Sequence, residues 1–259
     1  MIISDQHRFA FVHIPKCAGT SVRKALRPID ETIGQFDQIG SHADMGTIHY
    51  GHITLADLAR YFPEHYAKVR AFRSMAIVRH PVDRFFSAVF QRLREFKGYD
   101  QSQISQTVIE TEANALARHL TASTDRLDLA HVHFNRQSDY VFNDGERVVA
   151  EVFALDRLED ASAFIEACTG VRLETEAREN RTAALRFGSL QPIVRALRAP
   201  YGALVPLEAR NRIRNYLVKT GVYGDVETRN FAKPGSYLDG FLADYYRDDF
   251  SLYAAATAR

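Results

Sequence analysis

An α/β fold built on a central, mainly parallel sheet is what this sequence predicts, and three stretches carry the prediction. Phe9 to Ile14, Arg73 to Arg79 and Val148 to Leu155 are short apolar runs rich in β-branched and aromatic residues, as buried strands require. Each is followed within a few residues by apolar positions at helical spacing. Strands that alternate with helices indicate parallel neighbours joined by crossovers.

The first strand gives way to Pro15-Lys16-Cys17-Ala18-Gly19, small residues where the backbone must turn closely. Thr20-Ser21 then open a helix with Val22, Ala25 and Leu26 on one face. Asp30–Gly46 is polar and punctuated by glycine, which reads as a loop. Thr54 with Asp57 three residues on forms an N-cap pair, so a short helix starts there and His49 and His52 lie on the turn before it. The second strand stops at His80-Pro81, and Val82, Phe85, Phe86, Val89, Phe90 and Leu93 define an apolar helix face. Ser105–Leu120 has helical spacing, while His131–Phe134 and Asp139–Phe142 suit either strand or loop. Arg157–Cys168 follows the third strand as a helix ended by Gly170. Thr175–Ala203 is charged and interrupted by proline, Pro206–Lys219 and Tyr237–Ala256 read as helices, and Gly221–Gly235 reads as a loop between them.

The 259 residues suit one domain, 1–259, with a core of its own. Lys plus Arg number 33 against 32 for Asp plus Glu, which argues against a nucleic-acid binder working by bulk charge. No apolar run approaches the ~18–20 residues of a membrane span, and no charged-then-apolar leader opens the chain. Cys17 and Cys168 make neither a disulfide framework nor a zinc set, so a reduced, cytoplasmic setting is expected. Oligomeric state has no signature here.

Strand, small-residue loop and helix start together form a cradle for phosphate: the free N–H groups of the first turn and the helix dipole favour an anion. Lys16 adds a point charge, and Thr20 and Ser21 add hydroxyls. The G-x-x-x-x-G-K-[ST] loop of a nucleotide triphosphatase is not present, since Thr20 precedes Ser21 and Lys16 comes earlier. Arg79 stands where an acidic magnesium ligand would be expected. Direct cationic recognition without a metal is the expectation.

Pro15-Lys16-Cys17-Ala18-Gly19-Thr20-Ser21 resembles the P-K-x-x-[GS]-T-S loop of sulfotransferases that use 3′-phosphoadenosine 5′-phosphosulfate (PAPS). Arg79-His-Pro-Val-Asp-Arg84-Phe-Phe-Ser87 is similar to that family's R-x-P-x-x-R-x-x-S. The likeness is to the carbohydrate branch, which includes heparan sulfate 2-O-sulfotransferase and chondroitin sulfotransferases, and it runs over roughly residues 8–93. Gly51-His52 resembles the G-H of the glycan 2-O-enzymes, although Tyr50 replaces the first histidine of their H-G-H and His49 is one residue out of register.

The resemblance implies a P-loop-like three-layer α/β/α fold and sulfuryl transfer from PAPS to a hydroxyl of a glycan or glycoconjugate. It implies that Lys16, Cys17, Ala18, Gly19, Thr20 and Ser21 hold the 5′-phosphosulfate, with Lys16 also at the leaving oxygen. Arg79 and Ser87 are then expected to meet the 3′-phosphate, and His52 to act as general base, with His49 in reserve. Such an enzyme without an anchor suits a bacterial cytoplasm. Gln137 is expected near acceptor or base, and Asn180-Arg181-Thr182 or Arg229–Lys233 to close over the nucleotide.

Structural readings stand beside each of these. Arg79 could pair with Asp83 or Glu95, Arg84 could serve phosphate or the helix surface, and Ser87 could bond back to a carbonyl. Cys17 at a helix start invites a lowered thiol pKa, against which stands a small loop filler. A P-loop kinase and a non-catalytic nucleotide-binding protein are the alternative functions.

Overall fold

The computed structural model describes residues 1–100, 103–123, 126–173, 183–185, 223–225 and 231–258. Strands β1 (Ile2–Ser4), β2 (Phe9–Val12), β5 (Arg73–Val78) and β8 (Glu151–Ala154) form a four-stranded sheet in the order β1-β2-β5-β8. β2 runs parallel to β5 with Val12 opposite Ala76, and β5 parallel to β8 with Val78 opposite Ala154. All three therefore end at one edge of the sheet, and the turns that follow them lie side by side. Open parallel sheets hold ligands at such an edge. β2 is buried throughout and β5 everywhere except Arg73, which is why both read as continuous apolar runs. The antiparallel edge strand β1, with Ile2 opposite Phe11, is too short to show a period in sequence.

The helices are α1 (Gly19–Leu26), α2 (Leu55–Tyr61), α3 (Pro63–Ala71), α4 (Pro81–Glu95), α5 (Gln106–Ala122), α6 (Leu158–Thr169), α7 (Tyr237–Tyr245) and α8 (Arg247–Thr257). Thr54 caps α2 by accepting from the Asp57 N–H at 3.3 Å, as its sequence predicts. Gly170 ends α6 at φ 74°, a conformation that suits glycine. α3 was not anticipated; Pro63 starts it directly behind the end of α2.

Three readings are corrected. The predicted loop Asp30–Gly46 contains most of a hairpin, β3 (Ile39–His42) paired with β4 (Gly46–His49), whose residues are all exposed or half-buried and so show no apolar alternation. Tyr237–Ala256 is two helices, not one. The chain bends at Tyr246 (φ −105°, ψ 24°), whose buried hydroxyl donates to Phe134 O at 2.9 Å. His131–Phe134 and Asp139–Phe142 fold largely as single helical turns, Val132–Phe134 and Ser138–Tyr140. A minor hairpin follows, β6 (Phe142–Asn143) with β7 (Glu146–Arg147).

β9 (Ala183–Leu185) and β10 (Tyr223–Asp225) pair antiparallel, placing a strand within the expected loop Gly221–Gly235. The predicted helix Pro206–Lys219, nearly all of Thr175–Ala203, Asn180-Arg181-Thr182, Arg229 and Asn230 lie outside the described residues. Phe231 is described, its ring 5.1 Å from that of Phe86.

One buried apolar cluster surrounds the sheet, α1, α2, α3, α6 and α8; a second joins α4, α5 and α7 through Phe85, Phe86, Leu116, Phe134 and Phe241. Among the described residues no helix is long and apolar enough to cross a membrane.

Candidate active site

The loop after β2 adopts a backbone that side chains ordinarily avoid. Lys16 and Ala18 both have positive φ, 68° and 58°, in a region that costs a residue with a Cβ roughly 1–2 kcal/mol. Strain of this kind persists where the surroundings demand it, and it concentrates at ligand clamps. Alternating turns of this type point successive N–H groups into a concavity that suits an anion. α1 then begins at Gly19 with no side-chain cap on Ala18 and no acidic residue in its first turn. Its N-terminal N–H groups are left for something other than its own side chains.

Gly19 carries a steric requirement. A Cβ there would lie 1.8 Å from His13 Cδ2 and 2.1 Å from Nε2, so the imidazole occupies the space a side chain would take. Gly19→Ala is expected to destabilise the fold by about 1–3 kcal/mol through overpacking. Urea denaturation of that variant and of His13→Ala/Gly19→Ala checks it: the double variant should recover most of the loss, and equal losses would sink the explanation.

The second turn, at the end of β5, is tied to the first by Gln137. Its Oε1 accepts from Arg79 N at 2.9 Å and its Nε2 donates to Arg79 O at 2.9 Å, so one amide clamps the Arg79 main chain. The same Oε1 lies 3.3 Å from Cys17 Sγ, which faces the core with 1% exposure. Burial pushes the Cys17 thiol up to about 12, the opposite of the lowered pKa that its position at a helix start invites. Its side chain is thus a buried neutral thiol that faces the core. Gln137, expected near acceptor or base, joins the two turns.

Arg84 is not at the surface, and its guanidinium is taken up by protein groups. Fully buried, it donates from Nη1 to His133 O at 3.0 Å and from Nη2 to Asn135 O at 2.7 Å, with Asp249 Oδ2 of α8 3.7 Å away. Its guanidinium also lies over the Tyr246 ring at 5.2 Å. Burial opposes the charge, but Tyr246 and Asp249 outweigh it and hold the pKa above the usual guanidinium value. Asp249 accepts in turn from Gln137 N and Ser138 N at 2.8 and 2.9 Å. Arg84 and Asp249 thus fix the 133–138 segment, and that segment fixes Arg79. Ser87, one turn of α4 after Arg84, is 9% exposed.

Against the loop stands a cluster of imidazoles. His52 lies at its centre, its ring centroid 4.9 Å from His13, 4.1 Å from His49 and 5.0 Å from His133. Burial holds His52 and His13 well below the ordinary histidine value, and mutual repulsion adds to it. Burial brings His133 down to about 3 and lowers His49 as well. All four are neutral near pH 7. Their hydrogen bonds separate their roles. His49 Nδ1 accepts from Gly51 N at 3.1 Å and caps the turn Tyr50–His52. His13 Nδ1 lies 3.3 Å from Arg23 Nη1, and a guanidinium only donates. A neutral imidazole has one acceptor nitrogen, so in both rings that nitrogen is already engaged. His52 is held instead through its main chain, Tyr140 OH donating to its carbonyl at 3.0 Å, while its Nδ1 is buried with no hydrogen-bond partner among the described residues.

A family model described as the sulfotransferase family matches residues 1–254. The chain belongs to that family. Its match extends well past the two loops that first suggested it, through the segment that carries His133 and Gln137 and into α8. No curated protein and no solved structure gives a match. As a sulfotransferase the protein acts on a hydroxyl-bearing acceptor. The structure gathers Lys16, Gly19–Ser21, Arg79 and His52 around the carboxyl edge of β2 and β5. Sequence reasoning missed His13, which passes for one more residue of an apolar strand, and His133, in a segment whose structure was ambiguous. The signal available for His13 was its place directly before the strained loop.

Proposed function

We propose that this sulfotransferase moves the sulfuryl group of PAPS to a hydroxyl of a carbohydrate or glycoconjugate, with His52 as general base, on a P-loop-like three-layer fold. The observation that carries the reading is the strained, uncapped loop at Lys16–Gly19, linked by Gln137 to Arg79 and by His13 to a neutral histidine cluster. Its features fit the donor: unclaimed N–H groups and Lys16 for the phosphosulfate, and Arg79 with Ser87 for the separate 3′-phosphate.

His52 takes the proton of the attacking acceptor hydroxyl as the new oxygen–sulfur bond forms. Lys16 stabilises the charge that collects on the bridging oxygen as the old sulfur–oxygen bond breaks, and 3′-phosphoadenosine 5′-phosphate leaves. Family membership lends no support to phosphoryl transfer.

At about a hundredfold excess over its dissociation constant, 3′-phosphoadenosine 5′-phosphate should raise the melting temperature by roughly 5–10 °C. ATP should shift it little. Stabilisation by ATP and not by the bisphosphate would overturn the donor assignment.

A further inference from the structure

Lys16 is held by α4. Its Nζ donates to Gln91 Oε1 at 2.8 Å, and the same amide donates from Nε2 to Glu95 Oε2 at 2.8 Å. Ser87, Gln91 and Glu95 recur every fourth residue, so they form one stripe along the helix with a rise of about 6 Å per step. A carboxylate can only accept, so Glu95 draws the NH₂ end of the amide and turns Oε1 toward Lys16.

We propose that Gln91, oriented by Glu95, is a positioning residue that parks the Lys16 ammonium one turn beyond Ser87 and yields it to the donor's leaving oxygen. This rests on the reading of Lys16 given above. The chemistry of the parking group matters. A neutral amide oxygen gives way to a charged phosphate or sulfate oxygen, which makes the stronger hydrogen bond to an ammonium. A carboxylate at the same place would compete with the donor.

The groups around Lys16 make the arrangement measurable. Arg94 on α4 and Arg79 at the end of β5 repel the ammonium, Glu95 retains it, and the Lys16 charge in turn helps to keep His133 neutral. Burial, the largest influence, brings Lys16 down to about 8, so loss or gain of one partner moves its titration within an accessible range.

Acetylation of Lys16 by acetic anhydride, followed against pH by peptide mass spectrometry on the donor-free full chain, reads this without requiring turnover. Gln91→Leu and Glu95→Gln should each shift the midpoint downward by about half a unit or more, and Gln91→Glu should shift it upward. Gln91→Glu should also lower kcat by about tenfold, its alkaline limb moving up with the Lys16 midpoint. Midpoints that coincide in wild type and all three variants would overturn the proposal, as would a Gln91→Glu enzyme with undiminished kcat. Midpoints that shift as expected in the variants, with a wild-type protein that transfers nothing from PAPS, would refute the functional reading while upholding the Lys16–Gln91 relation.

Discussion

Asp249→Ala is expected to cost about 3–5 kcal/mol of folding stability, because it leaves the Arg84 guanidinium buried without its counter-ion. The carboxylate is fully buried, 3.7 Å from Arg84 Nη2, and accepts two main-chain N–H groups. Orphaning those donors adds to the loss. The pair itself need not be stabilising relative to an apolar one: desolvating two charges costs about as much as their attraction returns. Arg84→Met/Asp249→Leu should therefore sit well above Asp249→Ala in urea midpoint. The consequence is also functional, since Gln137 and Arg79 depend on the same segment. Asp249→Ala should weaken binding of 3′-phosphoadenosine 5′-phosphate even where the variant is still folded. A stability loss below about 1 kcal/mol would show that the buried pair is dispensable.

His52→Ala should lower kcat by about 10²–10⁴ with the fold retained, the range ascribed to a positioned general base. The pH dependence identifies the group more sharply than the rate does. Because burial holds His52 well below the ordinary value of 6.5, the neutral, proton-accepting form persists through slightly acid solution. The acid limb of kcat/KM should accordingly fall below the range of a solvent-exposed histidine, and the limb should vanish in the alanine variant.

Stability follows the opposite logic. Between the lowered native values and about 6.5 the unfolded chain binds protons that native His13, His52 and His133 refuse. Stability should hold above about pH 6.5 and decline as pH falls through that window, by up to ~1.4 kcal/mol per pH unit for each histidine. Urea midpoints from pH 7.5 to 5 test this. A flat profile would mean that the cluster is solvated.

Much of the scaffold was legible because its signals are local. Buried parallel strands leave continuous apolar runs, so β2 and β5 could be read directly, and with them the places of Lys16 and Arg79 at their ends. Thr54 and Gly170 act on neighbours within a few residues, and both behave as read. What was not legible depends on distant partners. Arg84 looks like a surface or phosphate-binding arginine until α8 brings Asp249 beside it. Gln137 looks like a site residue, and nothing local in the sequence shows that it also joins the two turns. The buried Cys17 thiol shows the same limit, since a helix start lowers a thiol pKa only where burial does not outweigh it. His13 and His133 reach His52 only through the sheet order and the Arg84-bound segment.

Gln137 also bears on how the molecule reaches its active form. Its bonds to Cys17 and Asp249 span 120 and 112 residues, and Lys16 meets Gln91 across 75. Contacts so distant along the chain close slowly, because loop entropy must be lost before they form. The strands and helices can assemble locally, but the Lys16 and Arg79 turns are tied together only once α8 has docked. Binding competence should thus be the last property acquired during refolding, trailing the recovery of secondary structure.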